Sequence, residues 1–232
     1  MAEPNSALEI LARHPWFQAA GDLLPPLAAR VRPKAWDSGQ TIFQRREKAD
    51  TLIILSSGLV RLSLITEEGR EVTVRMAAAG EVFGELGLLD GAPRSTDATA
   101  ITKVTGYTLS QSELWGLLES SSTFRKAVIV GLCKRLRDTT AQLESIALMS
   151  VEQRVARIVH HLALEARNGS EKKVEITLAF SQGELASLAG ATRPKVNQAL
   201  AQLIDDGALT KTRKGFLCDL TLLGDVAQVD EP

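Results

Sequence analysis

The sequence predicts an α+β chain: an N-terminal β-roll, one long helix and a C-terminal winged helix-turn-helix. Three observations predict it. Short runs rich in β-branched residues, punctuated by Gly39, Gly58, Gly69, Gly80 and Gly91, fill the stretch from Ala35 to Ser110. A narrow apolar seam spaced three and four apart follows, through Ile129, Leu132, Leu136, Thr139, Leu143 and Ile146. Two capped helices joined by a glycine turn, and then a strand pair, close the chain. The expected boundaries are 1–122 for the roll domain, 123–149 for the long helix and hinge, and 150–232 for the winged helix-turn-helix domain.

Composition sets the outer limits. The 232 residues suffice for two domains, and 44% hydrophobic with 24% charged residues is ordinary for a soluble globular protein. The net charge of −1 means that any surface for a polyanion is local. Cys133 and Cys218 form no disulfide or metal-ligand pattern, which points to a reducing cytosol. Met1 to Arg13 carries Glu3 and Glu9 and lacks the apolar core of a signal peptide, and no apolar run approaches the ~20 residues of a membrane span. With no nucleophile–base pair, metal cluster or Walker motif, an enzyme is not expected.

Taken in order, residues 5–31 read as short helices packed as a lid, from Leu8, Ile10, Leu11, Trp16-Phe17, Leu23-Leu24 and Leu27. Strands are expected at Thr41–Phe43, Thr51–Leu55, Leu59–Leu64, Val72–Val74 and Val104–Leu109, with Glu67-Glu68-Gly69-Arg70 as a hairpin loop. Many short strands with turn signals make a roll or barrel.

Between the strands near Val74 and Val104 lies Gly84-Glu85-Leu86-Gly87-Leu88-Leu89-Asp90-Gly91-Ala92-Pro93-Arg94-Ser95-Thr96, which reads as an anion cradle. Gly84 permits close approach or a positive φ. Leu86, Leu88 and Leu89 suit a short helical turn whose N–H groups meet a phosphate. Pro93 stiffens the entry to Arg94, whose planar fork fits a phosphate diester, and Ser95 adds a hydroxyl. Glu85 would repel a phosphate, so it either accepts from a sugar hydroxyl or orients the arginine. A tight turn with a surface Glu85–Arg94 ion pair is the plain alternative.

Ser112 is expected to open a short helix with Leu114-Trp115 and Leu117-Leu118, and the long helix starts near Thr123. About 27 residues from Phe124 to Ser150 would reach ~40 Å. The narrow seam with its charged flanks Lys134, Arg135, Arg137, Asp138 and Glu144 favours a homodimer over packing on its own domain. Thr139 and Thr140 interrupt the seam and point ~100° apart, so one can face its own subunit and the other the partner.

Ser150 to Gln153 is a capping box, which places the hinge at Met149-Ser150. Val155, Ile158, Val159, Leu162 and Leu164 give the next helix its apolar face, and the adjacent His160-His161, without a third ligand, are surface or core histidines. Asn168 to Lys173 is a polar turn and Val174–Leu178 a strand. Ser181-Gln182-Gly183-Glu184 is a second capping box, Gly190 breaks that helix, Thr192 caps the next with Pro194 in its first turn, and Gly207 ends it. Ala208–Thr212 and Gly215–Leu220 form the wing. Arg193, Lys195, Asn197 and Gln198 on the exposed N-terminal face can read base edges in a major groove, Arg with guanine and Asn or Gln with adenine. Ser181, Gln182, Thr192 and Pro194 border that face, and Lys211, Arg213 and Lys214 on the wing suit phosphates. A merely solvated charged face is the alternative.

The run Phe83-Gly84-Glu85-Leu86, a short spacer and Arg94-Ser95 resembles the phosphate-binding cassette of cyclic-nucleotide-binding domains. From about residue 15 to 223 the chain resembles the cyclic-AMP receptor protein (CRP/FNR) family of bacterial transcription regulators, through the roll, the cassette, Lys134-Arg135-Leu136-Arg137-Asp138-Thr139-Thr140 and Ala191-Thr192-Arg193-Pro194-Lys195-Val196. The resemblance implies a cytoplasmic, cyclic-nucleotide-responsive homodimer that binds double-stranded DNA at an inverted repeat and works with RNA polymerase, with no membrane and no metal. It implies that Gly84, Glu85, Arg94 and Ser95 hold the ribose and cyclic phosphate, with Phe83, Leu86 and Thr96 beside them in the ligand-binding set. Thr139 and Thr140 would meet the base, the latter in the partner's pocket, and Arg193 would read a guanine. Cyclic AMP stands ahead of cyclic GMP as effector; a cyclic dinucleotide, or no gating ligand, is the alternative.

The chain also departs from the family. The spacer between Glu85 and Arg94 is one residue shorter than in the receptor protein that names the family. Pro194 stands where an acidic reader is expected and Gln198 where an arginine is, so operator preference should be related but not identical. The iron–sulfur members' cysteine cluster is missing, and no His or Cys occurs between residues 33 and 132 to ligate a haem.

Overall fold

The N-terminal helices form where apolar residues recur at helical spacing: α1 (Pro4–Arg13), α2 (Pro15–Gln18), a 3-10 turn at Gly21–Leu23, and α3 (Leu24–Ala28). His14 caps α2, its Nδ1 accepting from the Trp16 amide at 3.3 Å. The computed structural model describes residues 4–65, 71–167, 169–177, 181–213 and 215–228. The expected hairpin loop at 67–70, Asn168 of the polar turn, Leu178 and Lys214 lie outside them.

Among the described residues, eight strands follow: β1 (Arg32–Trp36), β2 (Thr41–Phe43), β3 (Thr51–Ser57), β4 (Val60–Ile65), β5 (Glu71–Ala77), β6 (Val82–Phe83), β7 (Asp97–Ala100) and β8 (Val104–Ser110). Between β6 and β7 lies the single turn α4 (Leu86–Asp90), ended by Gly91 in the left-handed region. The strands build two antiparallel four-stranded sheets, β1-β8-β3-β6 and β2-β7-β4-β5. Strand β3 is buried on both faces. Because side chains alternate along a strand, Leu52 and Ile54 join the core under the helices, while Ile53 and Leu55 join the roll interior with Trp36, Phe43, Val60, Leu62 and Phe83.

Strands β1, β6 and β7 are additions to the sequence reading, and each has a physical reason for its weak signal. β1 is an edge strand, exposed at four of its five positions and tolerant of Pro33. β6 is two residues long, and β7 (Asp-Ala-Thr-Ala) has little intrinsic strand preference. What fixes β7 is alternation, Ala98 and Ala100 inward, between β2 and β4.

Helix α5 (Gln111–Ser120) is capped by Ser110 rather than opened by Ser112: Ser110 and Glu113 form a reciprocal capping box. Helix α6 (Ser122–Leu148) has 27 residues. Phe124 and Val128 are buried under α1 to α3, after which Ile129, Leu136, Leu143 and Ile146 are exposed in the single chain, Leu136 at 69%. Leu132 differs from its seam neighbours: it is half-buried against the N-terminal core.

The chain divides into two units, Met1–Arg137 and Asp138–Pro232. In the second, α7 (Val151–Ala166) starts at the Ser150–Gln153 capping box. Strand β9 (Lys173–Ile176), α8 (Gln182–Leu188) with its own box at Ser181 and Glu184, α9 (Arg193–Asp205), β10 (Leu209–Lys211) and β11 (Phe216–Asp219) follow. The small sheet runs β10-β11-β9. A further helix, α10 (Leu220–Ala227), occupies residues the sequence reading left partly in the wing; Asp219 caps it by accepting from the amides of Thr221 and Leu222. Val155, Val159, Leu185, Val196, Leu200, Leu203 and Leu223 form this unit's core. Cys218 is buried on β11, where desolvation pushes its thiol up to about 12. Among the described residues, no helix is long and apolar enough to cross a membrane.

Candidate effector cradle and nucleic-acid interface

Strand β6 ends at Phe83, which is fully buried, and the backbone turns at Gly84 with φ +79°. A Cβ at Gly84 would lie 2.6 Å from Arg94 Nη1 and 3.3 Å from Phe43 Cε1, so only glycine admits the arginine this close. Arg94 is held on every side. Its amide donates to the Glu47 carbonyl at 2.8 Å, and its own carbonyl accepts from the Arg46 amide at 2.9 Å. Nη1 donates to the Gly84 carbonyl and Nη2 to the Thr51 carbonyl, both at 2.7 Å. The guanidinium carbon stands 4.2 Å over the Phe43 ring, and Asp50 Oδ1 is 3.8 Å from Nη2.

Arg94 is only 6% exposed, yet its Nε is buried with no hydrogen-bond partner among the described residues. Burial pushes the guanidinium below its usual pKa, and the negative charges of Asp50, Glu47 and Glu85 oppose that shift. A cation fixed in this way with a donor unspent is prepared for an acceptor that is not part of the fold. Ser95 is exposed and Thr96 half-buried just beyond it, and Leu86 on α4 is 45% exposed.

Glu85 is buried, 3% exposed, and its partner is not Arg94. It forms an ion pair through Oε1 with Nη1 of Arg135 on α6, whose Nη2 donates to the Val82 carbonyl. The surface Glu85–Arg94 pair weighed from the sequence is therefore absent among the described contacts. Arg75 on β5 converges on the same place, donating from Nη1 to Glu81 at 2.9 Å and from Nη2 to the Val82 carbonyl at 3.1 Å. Desolvation, and then the charge of Arg135, push the Arg75 pKa down. Arg135 thus neutralises the acid that would otherwise repel a phosphate next door.

Sequence reasoning missed Phe43, Thr51 and Asp50 as partners of Arg94, and placed Arg135 only on the charged flank of the seam. Its one visible signal was Gly131, a glycine one turn earlier in an otherwise helix-favouring stretch. Thr139 and Thr140 lie on the part of α6 that belongs to the second unit, both exposed in the single chain.

In the second unit, α8 and α9 are joined through Gly190, at φ +58°, with Thr192 as the extended N-cap residue of α9. Val196, Ala199, Leu200 and Leu203 bury one face of α9, which leaves Arg193, Pro194, Lys195, Asn197 and Gln198 exposed on the other. Arg193 Nη2 lies 3.4 Å from Gln182 Oε1, so the starts of α8 and α9 meet. Ser181 is exposed as the cap of α8, and Lys211 and Arg213 are exposed on the wing. A residue not singled out earlier, Arg154 on α7, binds the turn between α6 and α7 to the end of α8: it donates to the carbonyls of Ala189 at 2.7 Å, Met149 at 2.9 Å and Ile146 at 3.2 Å.

Residues 33–121 match the model of the cyclic nucleotide-binding domain, and residues 153–226 match the Crp-like helix-turn-helix domain. The chain is 30% identical over 210 residues to the CRP-like cAMP-activated global transcriptional regulator of Mycobacterium tuberculosis, covering 90% of this chain and 94% of that one. The chain belongs to the CRP/FNR family of transcription regulators. It is also 28% identical to the cyclic AMP receptor protein of Thermus thermophilus, over 76% of this chain and 78% of that protein. Among solved structures, it is similar to the c-di-GMP-responsive global regulator CLP of Xanthomonas campestris at 26% identity and a TM-score of 0.69, covering 82% and 94% of the two chains. A CRP-family transcriptional regulator from Thermus thermophilus matches at 25% identity and a TM-score of 0.66, over 84% and 96%. This family member is a non-enzymatic DNA-binding regulator with a cyclic-nucleotide-binding domain and a small winged sheet beside its helix-turn-helix.

Proposed function

We propose that this CRP/FNR-family regulator is gated by a cyclic mononucleotide, cyclic AMP ahead of cyclic GMP, and binds an inverted-repeat DNA site as a homodimer in the cytoplasm. The observation that carries the reading is Arg94: buried, clamped by two carbonyls and an aromatic face, with Nε left over. In this reading the cyclic phosphate joins Arg94 and Ser95, with Gly84, Phe83, Leu86 and Thr96 shaping the cradle, and a ribose hydroxyl donates to Glu85. Thr139 and Thr140 meet the base, as the family's pattern suggests. Arg193, Lys195, Asn197 and Gln198 enter the major groove, flanked by Ser181, Gln182, Thr192 and Pro194, while Lys211, Arg213 and Lys214 hold phosphates. RNA polymerase is the proposed partner at the promoter. The names of the Mycobacterium and Thermus relatives support cyclic AMP; the CLP likeness supports a cyclic dinucleotide as the second reading.

Calorimetric titration of the purified protein with cyclic AMP, cyclic GMP and c-di-GMP tests it. Saturable binding of cyclic AMP, weaker cyclic GMP and no c-di-GMP heat is the expected result. Binding of c-di-GMP alone would transfer the assignment to the second reading, and no heat with any of the three would remove the nucleotide gate.

A further inference from the structure

We infer that Trp16, in the N-terminal lid, is a positioning residue for the effector site: it holds the Arg135 guanidinium so that Glu85 presents its carboxylate to the effector's ribose hydroxyl. The inference rests on the cyclic-nucleotide reading above and deepens it.

Four contacts carry it. The Trp16 indole, 2% exposed, lies against the backbone of α6 at Gly131, where a Cβ would come 2.1 Å from Nε1 and 2.9 Å from Cε2. Gly131 is therefore a slot, and any side chain there would expel the ring. One helical turn further on, at i+4 on the same face, the Arg135 guanidinium lies 5.3 Å from the centroid of that ring, within cation–π range. The guanidinium is then shared between Glu85 Oε1 and the Val82 carbonyl. Behind the indole, His14 packs edge-on, ring centroids 5.3 Å apart and planes at 85°, and also caps α2. Burial and the charges of Arg135 and Arg75 hold His14 down at about 4, so it stays neutral near pH 7 and does not push the guanidinium away.

The acceptor sites of Glu85 set the chemistry. An ionised carboxylate has about four acceptor sites on two oxygens. Arg135 engages Oε1, which anchors one oxygen of the group and leaves acceptor sites on Oε2 for a hydroxyl. A flexible arginine would not hold that oxygen in one place. An arginine stem is rotamer-rich, and the aromatic face with the glycine slot removes that freedom before the ligand arrives.

The test compares cyclic AMP with its 2′-deoxy analogue by calorimetry in the full-length protein, wild type and Trp16→Leu, Trp16→Phe and Gly131→Ala. A hydrogen bond to a charged acceptor is worth ~10-fold or more, so the wild type should prefer cyclic AMP by at least that ratio. Trp16→Phe keeps an aromatic face and should keep the ratio. Trp16→Leu and Gly131→Ala should bring it to within ~3-fold of unity while still binding, because Arg94 remains in place. Gly131→Ala favours the helix intrinsically, so it reports even if Trp16→Leu fails to fold. If both variants weaken the two nucleotides equally and preserve the ratio, Trp16 is a core residue only and the inference fails while the nucleotide reading stands. If the wild type binds neither nucleotide, the nucleotide reading itself fails and takes the inference with it.

Discussion

Placing a guanidinium at 6% exposure costs desolvation that the carbonyls of Gly84 and Thr51, the Phe43 ring and an exposed Asp50 offset only in part. An arriving phosphate removes the remaining deficit at Nε, which is why the cradle should depend steeply on this one side chain. Arg94→Ala should lose ~1.5–3 kcal/mol for each charge-assisted bond, enough to abolish calorimetric binding of cyclic AMP, with the far-ultraviolet dichroism unchanged. Retained near-wild-type affinity would remove Arg94 from the site. A second prediction concerns His14, whose folded pKa of about 4 lies below the 6.5 of the unfolded chain. Above pH 6.5 neither state is protonated there. As the pH falls through 6.5 toward 4, the unfolded chain takes a proton that the native state refuses, and stability is lost over that window. The thermal midpoint should therefore fall between pH 7 and pH 5, and fall less in His14→Asn, which keeps an N-cap side chain. Equal falls in the two proteins would show that His14 does not stay neutral in the native state.

At the scale of elements, α6 leaves apolar residues exposed in the single chain and α9 leaves polar and charged ones. The exposed residues Ile129, Leu136, Leu143 and Ile146 are a seam that a second copy would cover, and Leu132 divides its contacts with its own domain. Leu136→Asp with Leu143→Asp should convert a dimer into a monomer by light scattering at micromolar concentration; a wild type that is itself monomeric would refute the seam. On α9, Arg193→Ala should cost ~1–3 kcal/mol and relax discrimination at one base pair, whereas Lys211→Ala should weaken binding to all sequences alike and flatten the salt dependence. Both are read from anisotropy titrations on matched and mismatched duplexes.

The elements also show what the chain makes legible. The capping boxes at Ser150 and Ser181, the glycine breaks at Gly190 and Gly207 and the apolar face of α9 are local signals, and they appear where the sequence places them. Strands β1, β6 and β7 are held by neighbours distant in sequence, and the start of α5 by a serine two residues before the expected one. The same distinction runs through the cradle. Gly84, Glu85 and Arg94 announce themselves within ten residues, but Glu85's partner comes from α6, fifty residues later, and Arg94's aromatic face from β2. Side chains that meet only through tertiary packing leave a faint trace at most, here the glycine at 131.

For the whole molecule, the Arg94 cradle lies in the first unit and the exposed face of α9 in the second, and α6 runs through both. An effector alters operator affinity only if it binds the DNA-competent arrangement more tightly than the other, and the coupling is reciprocal. Thr139→Val with Thr140→Val preserves the shape of the side chains and removes both hydroxyls; we expect that variant to dimerise, to bind DNA weakly, and to lose most of the enhancement. The most direct test of gating is fluorescence anisotropy of the wild-type protein on a duplex recovered by in vitro selection, at fixed salt, with and without saturating cyclic AMP. The expected result is ~5–150-fold tighter operator binding with the nucleotide, and the same factor gained in nucleotide affinity when operator is present. Identical operator affinity with and without cyclic AMP would contradict it.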